Sequence, residues 1–125
     1  HASALKLYCS EAAGRVIETN RAGTLADGVA TRQPDADALA IIRRGASHIV
    51  TVDDEAAAEA IRIYWSDTHN LAEGAGAAPL AALLQERARL AGKRAAVVLS
   101  GGNIDLALFR SWVLREGPAR AAAGS

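Results

Sequence analysis

The sequence is short of several residue types, and each shortage argues against a class of protein. Its single cysteine, Cys9, cannot form an internal disulfide, which fits a reducing compartment such as the cytoplasm. No apolar stretch reaches the roughly 18 residues of a membrane-spanning helix, and no signal peptide is visible. The formal net charge is +0, so neither nucleic acid nor a membrane surface is an expected partner.

Methionine is absent, and lysine is scarce. The chain begins at His1 without a methionine, so we expect that it was processed or that it starts inside a longer gene product. Only Lys6 and Lys93 are lysines, whereas twelve residues are arginine. The histidines do not cluster with Cys9 at metal-ligand spacing, so we predict no metal site.

The 125 residues, half of them hydrophobic, are enough for one compact domain. We assign residues 1–117 to a partial α/β catalytic domain. Residues 118–125 are mainly small residues and are predicted to be a flexible tail.

Two apolar runs predict strands. Residues 95–99 are five consecutive apolar residues, typical of a strand buried on both faces, and residues 48–52 are the second candidate. Helical patterns flank these runs, each with a start or stop residue. The predicted helices are one over 2–13 with Gly14 as its stop, one opened by Pro34 and Asp35 and ended by Gly45, one over 55–67 capped by Asp53 and Asp54, one with Pro79 in its first turn and Gly92 as its stop, and one over 104–114.

Strands joined through helices predict an α/β fold, a parallel open sheet with flanking helices. Two strands make a thin sheet, and a parallel sheet needs both faces and both edges covered. We therefore expect this chain to form a homo-oligomer or to pair with a further part of the same fold.

Three turns of small residues carry a resemblance to a known family. They are Thr24-Leu25-Ala26-Asp27-Gly28, Glu73-Gly74-Ala75-Gly76 and Ser100-Gly101-Gly102-Asn103. In this order, together with the runs at 41–44, 48–52 and 97–99, they resemble the latter part of the serine/threonine dehydratases. Those are pyridoxal-phosphate enzymes of the tryptophan-synthase β type (fold type II), with serine racemase as a relative. The resemblance implies that this chain forms part of the large domain of such an enzyme.

The resemblance also implies roles for individual residues. Ser100 matches the hydroxyl that hydrogen-bonds the pyridine nitrogen of the cofactor, and Glu73 matches a glutamate near the ring. Gly28 matches the turn whose backbone approaches the cofactor ring in the family. The remaining matches shape the two later turns: Gly74 and Gly76 keep the approach narrow, and Gly101, Gly102 and Asn103 surround the pyridine end.

Plainer roles stay open for the same residues. Glu73 before a helix is also typical of a carboxylate that interacts with the helix dipole. Ser100 is also a candidate N-cap of the last helix. The pair Gly101-Gly102 is also what a tight turn between a strand and a helix requires.

The family's Schiff-base lysine lies in a Ser-x-Lys-x-Arg-Gly segment, and neither Lys6 nor Lys93 lies in one. The glycine-rich run that binds the cofactor's phosphate is not present either. Because covalent catalysis of this kind needs its amine, we assign no catalytic residue to the chain. We expect that the chain alone is inactive and does not retain pyridoxal phosphate.

The resemblance thus implies part of a threonine/serine dehydratase (ammonia-lyase), which converts L-threonine or L-serine to a 2-oxo acid and ammonia. In that reading the chain supplies the pyridine-side wall of the pocket. Two alternatives remain: a freestanding, non-catalytic α/β module that binds itself or a partner, and one half of a split enzyme. The coding DNA upstream of His1 separates them. Serine, threonine or racemase specificity, metal dependence and regulation stay open.

Overall fold

The computed structural model describes residues 35–115. Their helices are α1 (Ala36–Gly45), α2 (Asp54–Thr68), α3 (Gly74–Gln85) and the short α4 (Leu106–Leu108), which runs on as a π-helical turn over Phe109–Val113. The predicted helices at α1 and α2 are confirmed to within one or two residues. None of the helices in this range is long and apolar enough to cross a bilayer.

Aspartates start α1 and α2 by capping free backbone amides. The Asp35 carboxylate accepts hydrogen bonds from the amides of Asp37 and Ala38, at 3.0 and 2.9 Å. The Asp53 carboxylate accepts one from the Ala56 amide, at 2.7 Å. The first amides of a helix have no partner inside it, so these side chains decide where each helix begins.

The prediction that Pro79 lies in the first turn of α3 is wrong. The helix begins at Gly74 and contains Pro79 in its interior, although an interior proline removes one helical hydrogen bond. Its first turn, 74–77, is fully buried, and this packing outweighs the local cost of the proline. The helix ends at Gln85, earlier than predicted, and turns lead on to Gly92, whose φ is +73°.

The last helix also starts later than predicted, and its cap is not Ser100. Asp105 is the N-cap, and its carboxylate accepts hydrogen bonds from the amides of Ala107 and Leu108, at 2.8 and 3.2 Å. The alternative role of Ser100 as an N-cap is therefore excluded. Val113 is buried, whereas Leu106 is 61% exposed.

Neither predicted strand is observed as a strand within residues 35–115. The runs 48–52 and 95–99 carry no strand assignment, so the parallel sheet stays a prediction. Within the second run Val98 is 72% exposed, while Leu99 packs against the core.

The core lies between α2 and α3 and is made mostly of alanine. Its members are Ala60, Ile61, Ala72, Ala77, Ala81 and Val113. Small side chains let the two helices approach closely. Leu99 and Ile104 pack against this cluster from either side of the 100–103 turn, and that packing brings the turn to the start of α3.

Arg62 connects α2 to the end of the described chain. Its guanidinium donates to the Trp112 carbonyl at 2.9 Å and pairs with Glu55 at 3.0 Å. Arg115 pairs with the same Glu55 carboxylate at 2.8 Å. Hydrogen bonds from Arg62 and then Arg115 hold the pKa of Glu55 below its ordinary value.

We predict that Arg62→Met lowers the stability of the fold at neutral pH and also makes that stability less dependent on pH. Loss of the hydrogen bond to the Trp112 carbonyl should cost about 1 kcal/mol at pH 7. A lowered carboxyl pKa stabilises the fold fully above the unfolded value, about 4.3, and that contribution disappears as the pH falls through the folded-state pKa. The variant should therefore lose less stability than the parent chain between neutral pH and pH 3.

Urea denaturation at several pH values measures both effects. Arg44→Met, at an exposed position of α1, is the control and should change neither the stability nor its pH profile. An unchanged acid profile in Arg62→Met would show that the pair between Arg62 and Glu55 contributes nothing.

Candidate functional site

The structure brings two of the three predicted turns into contact. The Glu73 amide donates a hydrogen bond to the Gly101 carbonyl at 3.1 Å. Glu73 is the N-cap of α3, and its own carbonyl accepts the first helical hydrogen bond from Ala77 at 2.9 Å. The turn that carries Ser100 therefore lies directly against the start of α3.

Glycines allow this approach. A Cβ at Gly76 would collide with the Gly101 carbonyl, and a Cβ at Gly102 would collide with the Leu71 carbonyl. A Cβ at Gly101 would lie 2.7 Å from Oε1 of Glu73. At each of the three glycines, another residue of the site thus occupies the space that a Cβ atom would need.

The Glu73 side chain lies beside Gly101 and makes no hydrogen bond that caps the helix. It is half-buried. Its position before the first turn of α3 remains compatible with an interaction between its charge and the helix dipole. The carboxylate thus lies next to the turn that carries Ser100.

Ser100 and Asn103 are exposed, whereas Gly74 is buried in the first turn of α3. The Gly102 carbonyl accepts a hydrogen bond from the Ile104 amide at 3.0 Å, which closes a three-residue turn around Asn103. Ser100 therefore lies two residues before this turn, on an exposed part of the chain.

Some predicted residues lie elsewhere. Gly28, with the rest of its turn, and Lys6 lie outside the described residues. Lys93 is exposed and follows the Gly92 turn. Within 35–115, no three histidine, cysteine, aspartate or glutamate side chains come together as a set that could hold a metal ion.

The sequence analysis missed the contribution of Leu71. Its carbonyl occupies the space beside Gly102, and no sequence signal marks a backbone contact between residues so far apart in the chain. The Leu99 side chain likewise lies 3.3 Å from the Cβ position of Gly76.

A second polar cluster was also missed. Nε2 of His48 lies 2.9 Å from Glu86, and Arg89 pairs with Glu86 at 2.7 Å. Burial raises the pKa of Glu86, but the hydrogen bonds with His48 and Arg89 outweigh it and lower that pKa overall. The spacing of Glu86 and Arg89 predicts a helical ion pair, whereas the contact with His48 depends on the fold. The cluster joins the start of the 48–52 run to the residues after α3.

Comparison with protein families finds one match. Residues 2–101 match the model of the pyridoxal-phosphate dependent enzymes. Among curated proteins, L-threonine ammonia-lyase of Geobacter sulfurreducens is 40% identical over 105 residues, which are 84% of this chain and 26% of that protein. The chain therefore spans about a quarter of the length of this relative.

Solved structures agree with the family match. A threonine deaminase of T.th. is similar with a TM-score of 0.75 and 38% identity, over 82% of this chain and 38% of that one. Maize serine racemase has a TM-score of 0.75 and 26% identity, over 90% of this chain and 37% of that one. These neighbours are fold type II enzymes.

Proposed function

The chain belongs to the family of pyridoxal-phosphate-dependent enzymes, and we propose that it forms the pyridine-side wall of the cofactor pocket in a threonine or serine ammonia-lyase. One observation carries the proposal. The hydrogen bond from the Glu73 amide to the Gly101 carbonyl holds the Ser100 turn against the start of α3. Two residues that the resemblance matches to the family's cofactor pocket are thereby neighbours.

The described residues fit pyridoxal phosphate, the cofactor of the family. Ser100 is exposed, so its hydroxyl is accessible to a ring nitrogen. Gly101 places no side chain between Ser100 and the Glu73 carboxylate. When bound, the cofactor supplies the electron sink for the reaction, and the protein supplies orientation and electrostatics.

The Ser100 hydroxyl sets the electrostatics at the pyridine nitrogen. A hydroxyl is neutral, so it hydrogen-bonds the nitrogen without stabilising a proton on it as a carboxylate would. This weakens the electron sink. A weaker sink suits the loss of a β-hydroxyl group, because the departing group takes the electrons with it.

The substrate class follows from the relatives. The curated relative with 40% identity is named an L-threonine ammonia-lyase, and the similar solved structures include a serine racemase. We therefore propose a β-hydroxy amino acid as the substrate of the complete enzyme, with a 2-oxo acid and ammonia as products. The Schiff-base lysine is proposed to come from a part of the fold outside these 125 residues.

The exposed apolar run at 95–99 favours a further part of the fold that would cover it. Val98 is 72% exposed in a run of apolar residues that has no strand neighbour among the described residues. We propose that 48–52 and 95–99 become parallel strands when the remainder of the fold, or a second copy, covers them. This feature equally suits the alternative of a non-catalytic module that associates with itself.

Titration of the ¹⁵N-labelled chain with pyridoxamine 5′-phosphate tests the proposed site. This probe has the ring and the phosphate but no aldehyde, so it cannot react with Lys6 or Lys93. We expect weak, saturable shifts of the amides in 73–76 and 100–103, and smaller shifts in Ser100→Ala. In the same spectra, the amides of 95–99 should exchange rapidly with solvent, because residues 35–115 provide no strand partner for them.

Inorganic phosphate is the matched control, since it lacks the ring. Equal shifts with phosphate, or shifts confined to other residues, would contradict the assignment of the pyridine-side wall. Slow exchange of the 95–99 amides in the chain alone would instead point to pairing with a second copy.

A further inference from the structure

Gly76 lies where a helix normally gains from a side chain. It is the third residue of α3 and is fully buried. Alanine forms helices better than glycine, so local propensity favours alanine at this position. The structure shows what opposes it: the space of the Cβ is taken by the Gly101 carbonyl, with the Gly101 amide nitrogen 3.1 Å and the Leu99 side chain 3.3 Å away.

The same Gly101 carbonyl accepts the hydrogen bond from the Glu73 amide. The Gly101 carbonyl therefore occupies the space beside Gly76 and accepts a hydrogen bond from the Glu73 amide at the start of α3. This hydrogen bond joins two backbone groups, so it leaves less freedom than a contact of flexible side chains. Gly101 follows Ser100 directly, so any shift of this carbonyl also shifts Ser100.

We infer that Gly76 is a positioning residue for the Ser100 turn. It acts by letting the Gly101 carbonyl reach the Glu73 amide. Its importance for cofactor binding rests on the proposed function, whereas its effect on the position of the turn does not.

Gly76→Ala tests the inference, with Gly45→Ala as the matched control. Both glycines lie in helices, but a Cβ at Gly45 meets nothing within 4 Å. Gly45→Ala should raise the urea midpoint through helix propensity, and Gly76→Ala should lower it. In Gly76→Ala, the Glu73 amide should exchange about tenfold faster or more, and the amide signals of 100–103 should move.

A general loss of stability does not explain such a pattern, and Leu39→Ala provides the comparison. Leu39 is buried in α1 and is not a member of the core cluster. Leu39→Ala should lower the urea midpoint without moving the 100–103 signals. If Gly76→Ala leaves these signals and the Glu73 exchange rate unchanged, the inference is overturned.

The parent chain offers a test that does not depend on a variant folding. A scalar coupling across the hydrogen bond from the Glu73 amide to the Gly101 carbonyl is expected, and its absence would overturn the inference. Pyridoxamine 5′-phosphate separates this result from the proposed function. If Gly76→Ala moves the turn but the parent chain never responds to the probe, the positioning role stands and the cofactor assignment fails.

Discussion

Ile61→Ala is expected to lower the free energy of unfolding by about 2 to 5 kcal/mol. Ile61 is 0% exposed and is the largest fully buried side chain among the described residues. The other buried members of its cluster are alanines and Val113, whose short side chains cannot fill the cavity. Urea denaturation followed by tryptophan fluorescence measures the change.

Two further variants make this result specific to burial. Ile61→Val removes one methylene group and should cost about 1 kcal/mol. Ile41→Ala, at a position that is 60% exposed, should stay within about 0.5 kcal/mol of the parent chain. Similar losses at 41 and 61 would show that the alanine-rich interface of α2 and α3 is not the core of the folded chain.

Gly102→Ala is expected to cost about 1 to 3 kcal/mol, the usual cost of forcing extra atoms into a packed site. Its Cβ would collide with the Leu71 carbonyl, which belongs to the backbone just before α3 and cannot rotate away as a side chain does. We also expect the amide signals of 71–73 to move, because relief of the collision requires that segment to shift.

Gly101→Ala is the comparison for this prediction. Its new Cβ would lie 2.7 Å from Oε1 of Glu73, the far end of a flexible side chain. The carboxylate can swing aside, so stability should change by less than about 1 kcal/mol while the carboxyl signal of Glu73 moves. Equal costs at 101 and 102 would contradict the backbone contact with Leu71.

These two glycines illustrate how much of the site was predictable. The pair Gly101-Gly102 marks a turn with close backbone approach, and the family resemblance placed Ser100 and Glu73 near one cofactor. In the structure the two turns are neighbours. Which glycine faces a carboxylate and which faces a carbonyl was not predictable, because those partners lie about thirty residues away in the chain.

The helix starts likewise include some that were predictable from the sequence and one that was not. Asp35 and Asp53 cap α1 and α2 through contacts with residues two or three positions away, and such local contacts can be recognised in a sequence. The start of α3 could not be recognised, because Pro79 suggested a later start. Burial of 74–77 and the hydrogen bond with Gly101 set it instead.

The order of residues along this chain was sufficient to identify the cofactor family, through motifs whose meaning depends on their succession, and to locate helix starts set by neighbouring side chains. Tertiary contacts decided the rest: where α3 begins, and how the turns of Glu73 and Ser100 meet. The physical reason is distance along the chain. A cap needs only a nearby amide, whereas the space at Gly76 has meaning only once packing against the α2–α3 core has brought the Gly101 carbonyl into it.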